Sequence, residues 1–266
     1  MPDSAAAAPS REAESMPTMG FLDHLEELRK RIVYSIIAVA VGTAVSWGYR
    51  ERIYGVMQKP IMNALRAHGL AEKLVYLNPV DPFNLYLKIA MLAGLFLTSP
   101  FVLYQVWMFI SPGLYRNEKR YVFPFMVSTI TLFTLGGYFG YRIAYPRALD
   151  FFIGFSGQFQ PMITVGEYTQ LFLSIVLGMG LIFEMPILVF FLAFMGIMTP
   201  SFMVKQFRYA ILIIFVLAAI VTPTPDIVNM CVFAAPMLAL YALSIGVAWV
   251  VHPEQRNKRK EKRAQS

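Results

Sequence analysis

The chain has 266 residues, of which 57% are hydrophobic and 15% aromatic, against only 15% charged, with a net charge of +7. A soluble core has no use for that much apolar side chain, so the composition excludes an ordinary water-soluble domain and points to a chain that crosses a bilayer several times. The positive charge does not argue for nucleic acid: it gathers in the tail Arg256 to Arg263 and on one side of the apolar segments, which suits anionic lipid headgroups, and no basic folded face is visible.

Residues 1–17, rich in Ala, Ser, Glu and Pro, are predicted to form a disordered tail. The Ala5 to Ala8 run is too short for the apolar core of a secretory signal and lacks a basic flank, so the first span is expected to stay in the mature chain. From Phe21, the recurrence of Phe21, Leu25, Leu28 and Ile32 at helical spacing predicts a short amphipathic helix at the membrane surface that runs into the first span. Apolar runs then place six spans, at Ile32 to Tyr49, Ile89 to Ile110, Tyr121 to Ala144, Leu171 to Met198, Tyr209 to Val221 and Ile227 to Val251.

Between the first two spans, the stripe Ile53, Val56, Met57, Pro60, Ile61 and Leu65 predicts an interfacial helix kinked or restarted near Pro60, with a structural role. The segment Pro146 to Thr169, with Gly154, Gly157, Pro161 and Gly166, reads as an irregular loop. The fifth span has a clean apolar core only from Ala210 to Val221, about 18 Å of helix against about 30 Å of hydrocarbon. It is joined to the sixth by the tight turn Thr222 to Asp226, so the last pair is expected to be short and the membrane beside it thin. The organisation is thus a tail at 1–17, a six-span membrane domain at 18–251 and a basic tail at 252–266, all α-helical where ordered.

Fifteen of the 23 Lys and Arg residues fall on the side that carries both termini, which makes that side cytoplasmic, the excess of the first outside loop (Arg50, Arg52, Lys59, Arg66, Lys73) notwithstanding. A single carboxylate, Glu184, sits near the middle of the fourth span. An acidic side chain there costs roughly 2.5 to 3.5 kcal/mol on insertion scales, which makes it a candidate site; a carboxyl that merely glues two helices together is the plainer alternative. Pro186, two residues on, has no N–H and frees the carbonyl of Ile182, so a helix irregularity and a polar notch are expected at Glu184.

Catalytic and metal chemistry find little support. Cys231 is the single cysteine, and His24, His68 and His252 all lie outside the spans. No nucleophile and base share a span, there is no HExxH, GxSxG or P-loop, and no cofactor or metal is expected. A proton-coupled secondary transporter remains open as an alternative, although such folds usually carry paired broken helices in a repeat, and none is evident here.

Motifs then narrow the field. The segments His24-Leu25-Glu26-Glu27-Leu28-Arg29-Lys30-Arg31 and Phe109-Ile110-Ser111-Pro112-Gly113-Leu114-Tyr115-Arg116-Asn117-Glu118-Lys119-Arg120, the Phe183 to Pro186 stretch and the Thr-Pro turn ending at Asp226 resemble, in order and spacing, the TatC family, the large subunit of the twin-arginine protein translocase. Met230 stands where the family often carries a polar residue.

The resemblance implies a concave, glove-like six-helix bundle in the bacterial inner membrane, with Glu184 facing the hollow. It implies a receptor for twin-arginine signal peptides of folded precursors, acting with single-span TatA- and TatB-type subunits in an oligomeric complex driven by the proton-motive force. Two adjacent guanidinium groups suit bidentate pairing with carboxylates. The family match puts Glu27 and Glu118 in that role and lets Phe109, Leu114 and Tyr115 cover the apolar part of the peptide. Read without the family, Glu27 pairs with Arg31 at i,i+4, Glu118 has basic neighbours, the aromatics are interface anchors, Arg29 and Arg31 are inside-positive anchors, and Asp226 caps the sixth span, with a translocation role secondary.

Overall fold

The computed structural model describes residues 21–110, 122–155, 159, 162–194, 198–221 and 227–251. Among them the fold is helical, with one isolated bridge, Val75 to Thr164. The elements are α1 (Phe21–Gly48), α2 (Arg50–Met57), α3 (Lys59–Ala67), α4 (Asp81–Ile110), α5 (Val122–Phe139), α6 (Tyr145–Phe155), α7 (Val165–Ile182), α8 (Met185–Phe194), α9 (Pro200–Lys205), α10 (Phe207–Val221) and α11 (Ile227–Val251). Three stretches, Asp23–Gly48, Asp81–Phe109 and Val165–Ala193, are long and apolar enough to cross a membrane, and Phe207–Ile220 and Phe233–Trp249 are shorter apolar helices.

Amphipathic start and first span are one continuous helix, α1, as the helical spacing from Phe21 requires. Its apolar surface is largely left uncovered: Ile32, Val33, Ile36, Ile37, Val41 and Val45 are all exposed, the expected state of a face solvated by lipid tails. In lipid there is no hydrophobic gain from bringing helices together, so close backbone approach has to do the work. Gly42 on α1 and Gly94 on α4 provide it. A Cβ at Gly94 would stand 2.5 Å from the Thr43 backbone nitrogen, and one at Gly42 would stand 2.7 Å from the Gly94 carbonyl oxygen, so only glycine fits at this crossing.

At the far end of α1 the chain folds back as α2 and α3. The break falls at Gln58, with Pro60 in the first turn of α3, where its missing N–H leaves no helical bond unmade. Of the expected stripe, Met57, Ile61 and Leu65 are buried together with Ala64, whereas Val56 is half exposed. They join Tyr145, Leu149, Ile153, Tyr168, Phe172 and Met179 in the main core, so this cap is bolted onto the bundle. Two tyrosine hydroxyls fix it: Tyr141 donates to the Val56 carbonyl at 2.9 Å, and Tyr168 donates to the Met57 carbonyl.

Two expectations need correction. The segment Pro146 to Thr169 is not irregular throughout: α6 is helical to Phe155 and α7 begins at Val165, with Thr164 capping it by accepting from the Glu167 N–H at 3.3 Å. The proline is accommodated because Gly140–Ala144 forms a π turn in which the Tyr145 N–H reaches back to Gly140, so the helix is already re-registered where Pro146 has no proton to give. Tyr145, Leu149 and Ile153, at i, i+4 and i+8, then bury one face of α6. The last helix is also not short. α10 has 15 residues, about 22 Å, and is short as expected, but α11 runs 25 residues from Ile227 to Val251 and carries Pro236 without ending there.

Candidate functional site

Two antiparallel helices build the site: the first turns of α1 and the last turns of α4, the pair that shares the longest interface in the described structure. Their ends are pinned by His24, whose ring stacks on Phe109 with centroids 4.4 Å apart and planes 18° from parallel. One turn further along α1 comes Glu27, and one turn beyond it Arg31, so both project from the same face of the helix. Arg31 Nη2 lies 3.1 Å from Glu27 Oε1, which is the i,i+4 pair that the sequence suggested. Arg31 also crosses to α4, where Nη1 donates to Gln105 Oε1 at 2.9 Å.

Burial makes this corner unusual. The Glu27 and Arg31 side chains keep only 16% and 22% of their accessible surface, and Gln105 is buried. Glu27 Oε2 and Arg31 Nε are both shielded from solvent and lack a hydrogen-bond partner among the described residues. Each such atom forgoes its water without replacement, at a typical cost of about 1 to 3 kcal/mol. A carboxylate and a guanidinium one turn apart would ordinarily close a two-bond fork and satisfy both atoms. Here that fork is open, and the remaining terminal nitrogen, Nη1, is held by Gln105.

Beside it, the same end of α4 carries an aromatic wall. Trp107 donates from Nε1 to Thr129 Oγ1 of α5 at 3.1 Å, stacks on Phe125 at 5.3 Å and meets Phe191 of α8 edge-on at 5.7 Å. Trp107 and Thr129 are buried, so this bond ties α4 to α5 through a satisfied polar pair. By contrast, Glu26 and Lys30, the other i,i+4 pair suggested by the sequence, are exposed and form no ion pair among the described residues.

Glu184 occupies a separate place. It lies in the turn between α7 and α8, where its N–H bonds to Leu181 and its carbonyl accepts from both Ile187 and Leu188, each at 3.1 Å. That tightened turn is the irregularity Pro186 was expected to impose. The Glu184 side chain is half-buried with Oε1 unpartnered among the described residues, and the Phe133 backbone of α5 is within hydrogen-bonding reach. Phe183 beside it packs over Gly136, where a Cβ would fall 2.8 Å from the phenylalanine Cβ.

Of the residues predicted for the site, Glu27 and Phe109 are thus brought to one end of the α1–α4 pair, and Glu184 lies elsewhere, against α5. Leu114, Tyr115, Glu118 and Asp226 fall outside the described residues. From the sequence Arg31 is a partner of Glu27 at i,i+4 and an inside-positive anchor, and Gln105 carries no expected role. A neutral amide inside an apolar run was the one available signal, since a buried glutamine needs a partner. No group of three or more His, Cys, Asp or Glu suited to a metal occurs among the described residues.

Comparison with known proteins gives a consistent answer. The family described as Sec-independent protein translocase protein (TatC) matches residues 23–236. A Sec-independent protein translocase protein TatC of Koribacter versatilis (strain Ellin345) is 62% identical over 248 residues, covering 93% of this chain and 92% of that protein. One of the same description from Desulforapulum autotrophicum is 40% identical, covering 89% of this chain and 85% of its own. Among solved structures, the crystal structure of a twin-arginine translocase receptor TatC superposes with a TM-score of 0.75 at 35% identity, covering 86% of this chain and 99% of the other.

Proposed function

This chain belongs to the TatC family of Sec-independent protein translocase proteins, and from that membership we propose that it is the subunit that recognises twin-arginine signal peptides and forms the core of the complex that exports folded precursors. It is a membrane protein and a translocase component, and the transporter alternative finds no support among its relatives.

The observation that carries the receptor reading is the Glu27 carboxylate. It is nearly buried, half-paired and set at a helix end whose neighbours are a stacked aromatic and a buried amide. A guanidinium offers the planar pair of N–H donors that such a carboxylate lacks. Glu118 supplies the second acid for the second arginine, and Phe109, Leu114 and Tyr115 cover the apolar part of the peptide. Six spans with both termini in the cytoplasm of a bacterial inner membrane put these groups on the side where precursors are made.

Glu184 offers a polar group of a partner subunit or precursor a docking point inside the bundle. Single-span TatA- and TatB-type proteins are the partners, the complex is oligomeric and powered by the proton-motive force, the basic tail rests on anionic lipid, and the chain itself performs no catalysis. Asp226 caps α11, with any translocation role secondary. The discriminating experiment is retention: the purified protein in detergent should hold a labelled peptide bearing two adjacent arginines and co-purify with single-span partners. Retention of neither, with saturable binding of a small solute instead, would overturn the reading.

A further inference from the structure

We propose that His24 is a positioning residue of the receptor: its imidazole is a platform that fixes the Phe109 ring beside the Glu27 carboxylate, so that a guanidinium and the apolar residues of one peptide are read together. This rests on the reading above, in which Phe109 covers the apolar part of the signal peptide. The observation that carries it is the stack, with ring centroids 4.4 Å apart and planes 18° from parallel. Both rings stand at helix ends, His24 in the first turn of α1 and Phe109 one residue before the last of α4. Glu27 lies three residues on from His24, and residues at that spacing are neighbours on one helix surface, with Cβ atoms about 5 to 6 Å apart. The stack therefore keeps Phe109 next to the acid.

Holding the fold together does not require this contact. The helices α1 and α4 already meet at the Gly42–Gly94 crossing, and Arg31 bonds across to Gln105 close to Glu27. His24 itself is exposed and Phe109 only partly buried, so little apolar surface would be uncovered by losing the imidazole. What the imidazole supplies is order. An aromatic side chain at the tip of a helix has to be immobilised when a ligand packs on it, and that ordering weakens binding. A nearly parallel neighbour ring removes much of this freedom in advance, while covering only one of the two faces of Phe109. Histidine suits an exposed platform, because its ring packs through an apolar body and keeps a polar tip for water or headgroups.

Two fluorescent peptides separate positioning from packing. Each carries two adjacent arginines, followed either by leucines or by serines in the same places, and each is titrated against the full chain in detergent. Wild type should prefer the leucine peptide. His24→Ala should shrink that preference by about threefold to tenfold, with the loss confined to the leucine peptide, the range expected for freeing one immobilised aromatic side chain. His24→Phe, which keeps a stacking ring, should restore the preference to within about twofold. In a Phe109→Ala background the further change His24→Ala should alter neither affinity by more than about twofold, because nothing is left to position.

Equal losses for both peptides in His24→Ala would make the imidazole a clamp between helix ends and overturn the proposal. An unchanged preference in His24→Ala, a loss that persists without Phe109, or no recovery in His24→Phe would overturn it as well. A different result marks failure of the underlying reading. If wild type does not prefer leucine, and Phe109→Ala binds both peptides as wild type does, Phe109 is no peptide contact and the platform falls with it.

Discussion

The two ends of α1 are built on opposite principles. At its far end, the α2–α3 cap is closed: Ile61 and Met57 are fully buried, and Tyr141 and Tyr168 hold the cap's backbone carbonyls across 85 and 111 residues of sequence. At its start, Glu27 and Arg31 are shielded, and each keeps one atom unpaired among the described residues although Arg31 also reaches Gln105. At the first end apolar contacts and the two cap-holding hydrogen bonds agree, although the buried Tyr145 hydroxyl beside Tyr168 is left unpaired among the described residues. The second tolerates a local cost that the rest of the fold sustains, and half-satisfied polar groups of this kind mark a place kept ready for a partner.

If that contrast is right, damage at the two ends should differ in kind. Ile61→Ala, which removes a fully buried side chain from the cap, should destabilise the protein by about 2 to 5 kcal/mol, read as a lowered midpoint of thermal unfolding in detergent. Peptide affinity of the protein that remains folded should stay within about twofold of wild type. Affinity lost in step with stability would erase the distinction.

Glu184 sharpens the comparison, because it too is shielded with an unpartnered oxygen. Gln keeps its hydrogen-bonding capacity and Ala does not. Export should therefore survive largely in Glu184→Gln, while Glu184→Ala should lose partner association yet still insert and bind signal peptide through Glu27 and Glu118. Normal export by Glu184→Ala, or a defect confined to folding, would make the residue structural glue.

A smaller, spatial effect is expected at α10. Its 15 residues cover about 22 Å of a hydrocarbon layer about 30 Å thick. Spin labels from Ile211 to Ile220 should report compressed depths relative to labels along α4, and full-thickness profiles at both would contradict local thinning.

The smallest effect should come from the exposed Arg66–Glu72 fork beyond α3, with both contacts at 2.8 Å. The hydrogen bond from Arg66 holds the Glu72 carboxyl below its usual range. Any stability it lends is therefore present at neutral pH and fades as pH falls through that lowered value. Exposed pairs contribute little, so Glu72→Gln should leave the unfolding midpoint and its pH dependence nearly unchanged near neutrality. A large shift in a thermal scan at neutral pH would show that this loop is part of the closed end.

Much of this was legible in the chain. Apolar runs located the long helices, the clean stretch from Ala210 fixed a short α10, and Pro186 announced the turn at Glu184, because these are local properties of composition and backbone chemistry. The helix α6 was hidden by Pro146 and nearby glycines, whose usual meaning is overridden by the π turn at Gly140–Ala144 that only the folded backbone displays. The apolar run from Ile227 to Val251 matches α11 from end to end, Pro236 included, so the expected shortness holds for α10 and not for its partner. At the site, the Glu27–Arg31 pair followed from i,i+4 spacing, but the bond to Gln105 joins two helices through tertiary packing and leaves no local pattern in the sequence.

The most direct measurement is the affinity of the Glu27→Ala, Glu118→Ala double variant for a labelled twin-arginine peptide, compared with wild type in the same detergent. Loss of shielded charge-assisted pairs costs on the order of 2 to 5 kcal/mol, so binding should fall by roughly thirtyfold or more, with the protein still folded. Undiminished binding by the double variant would contradict the account.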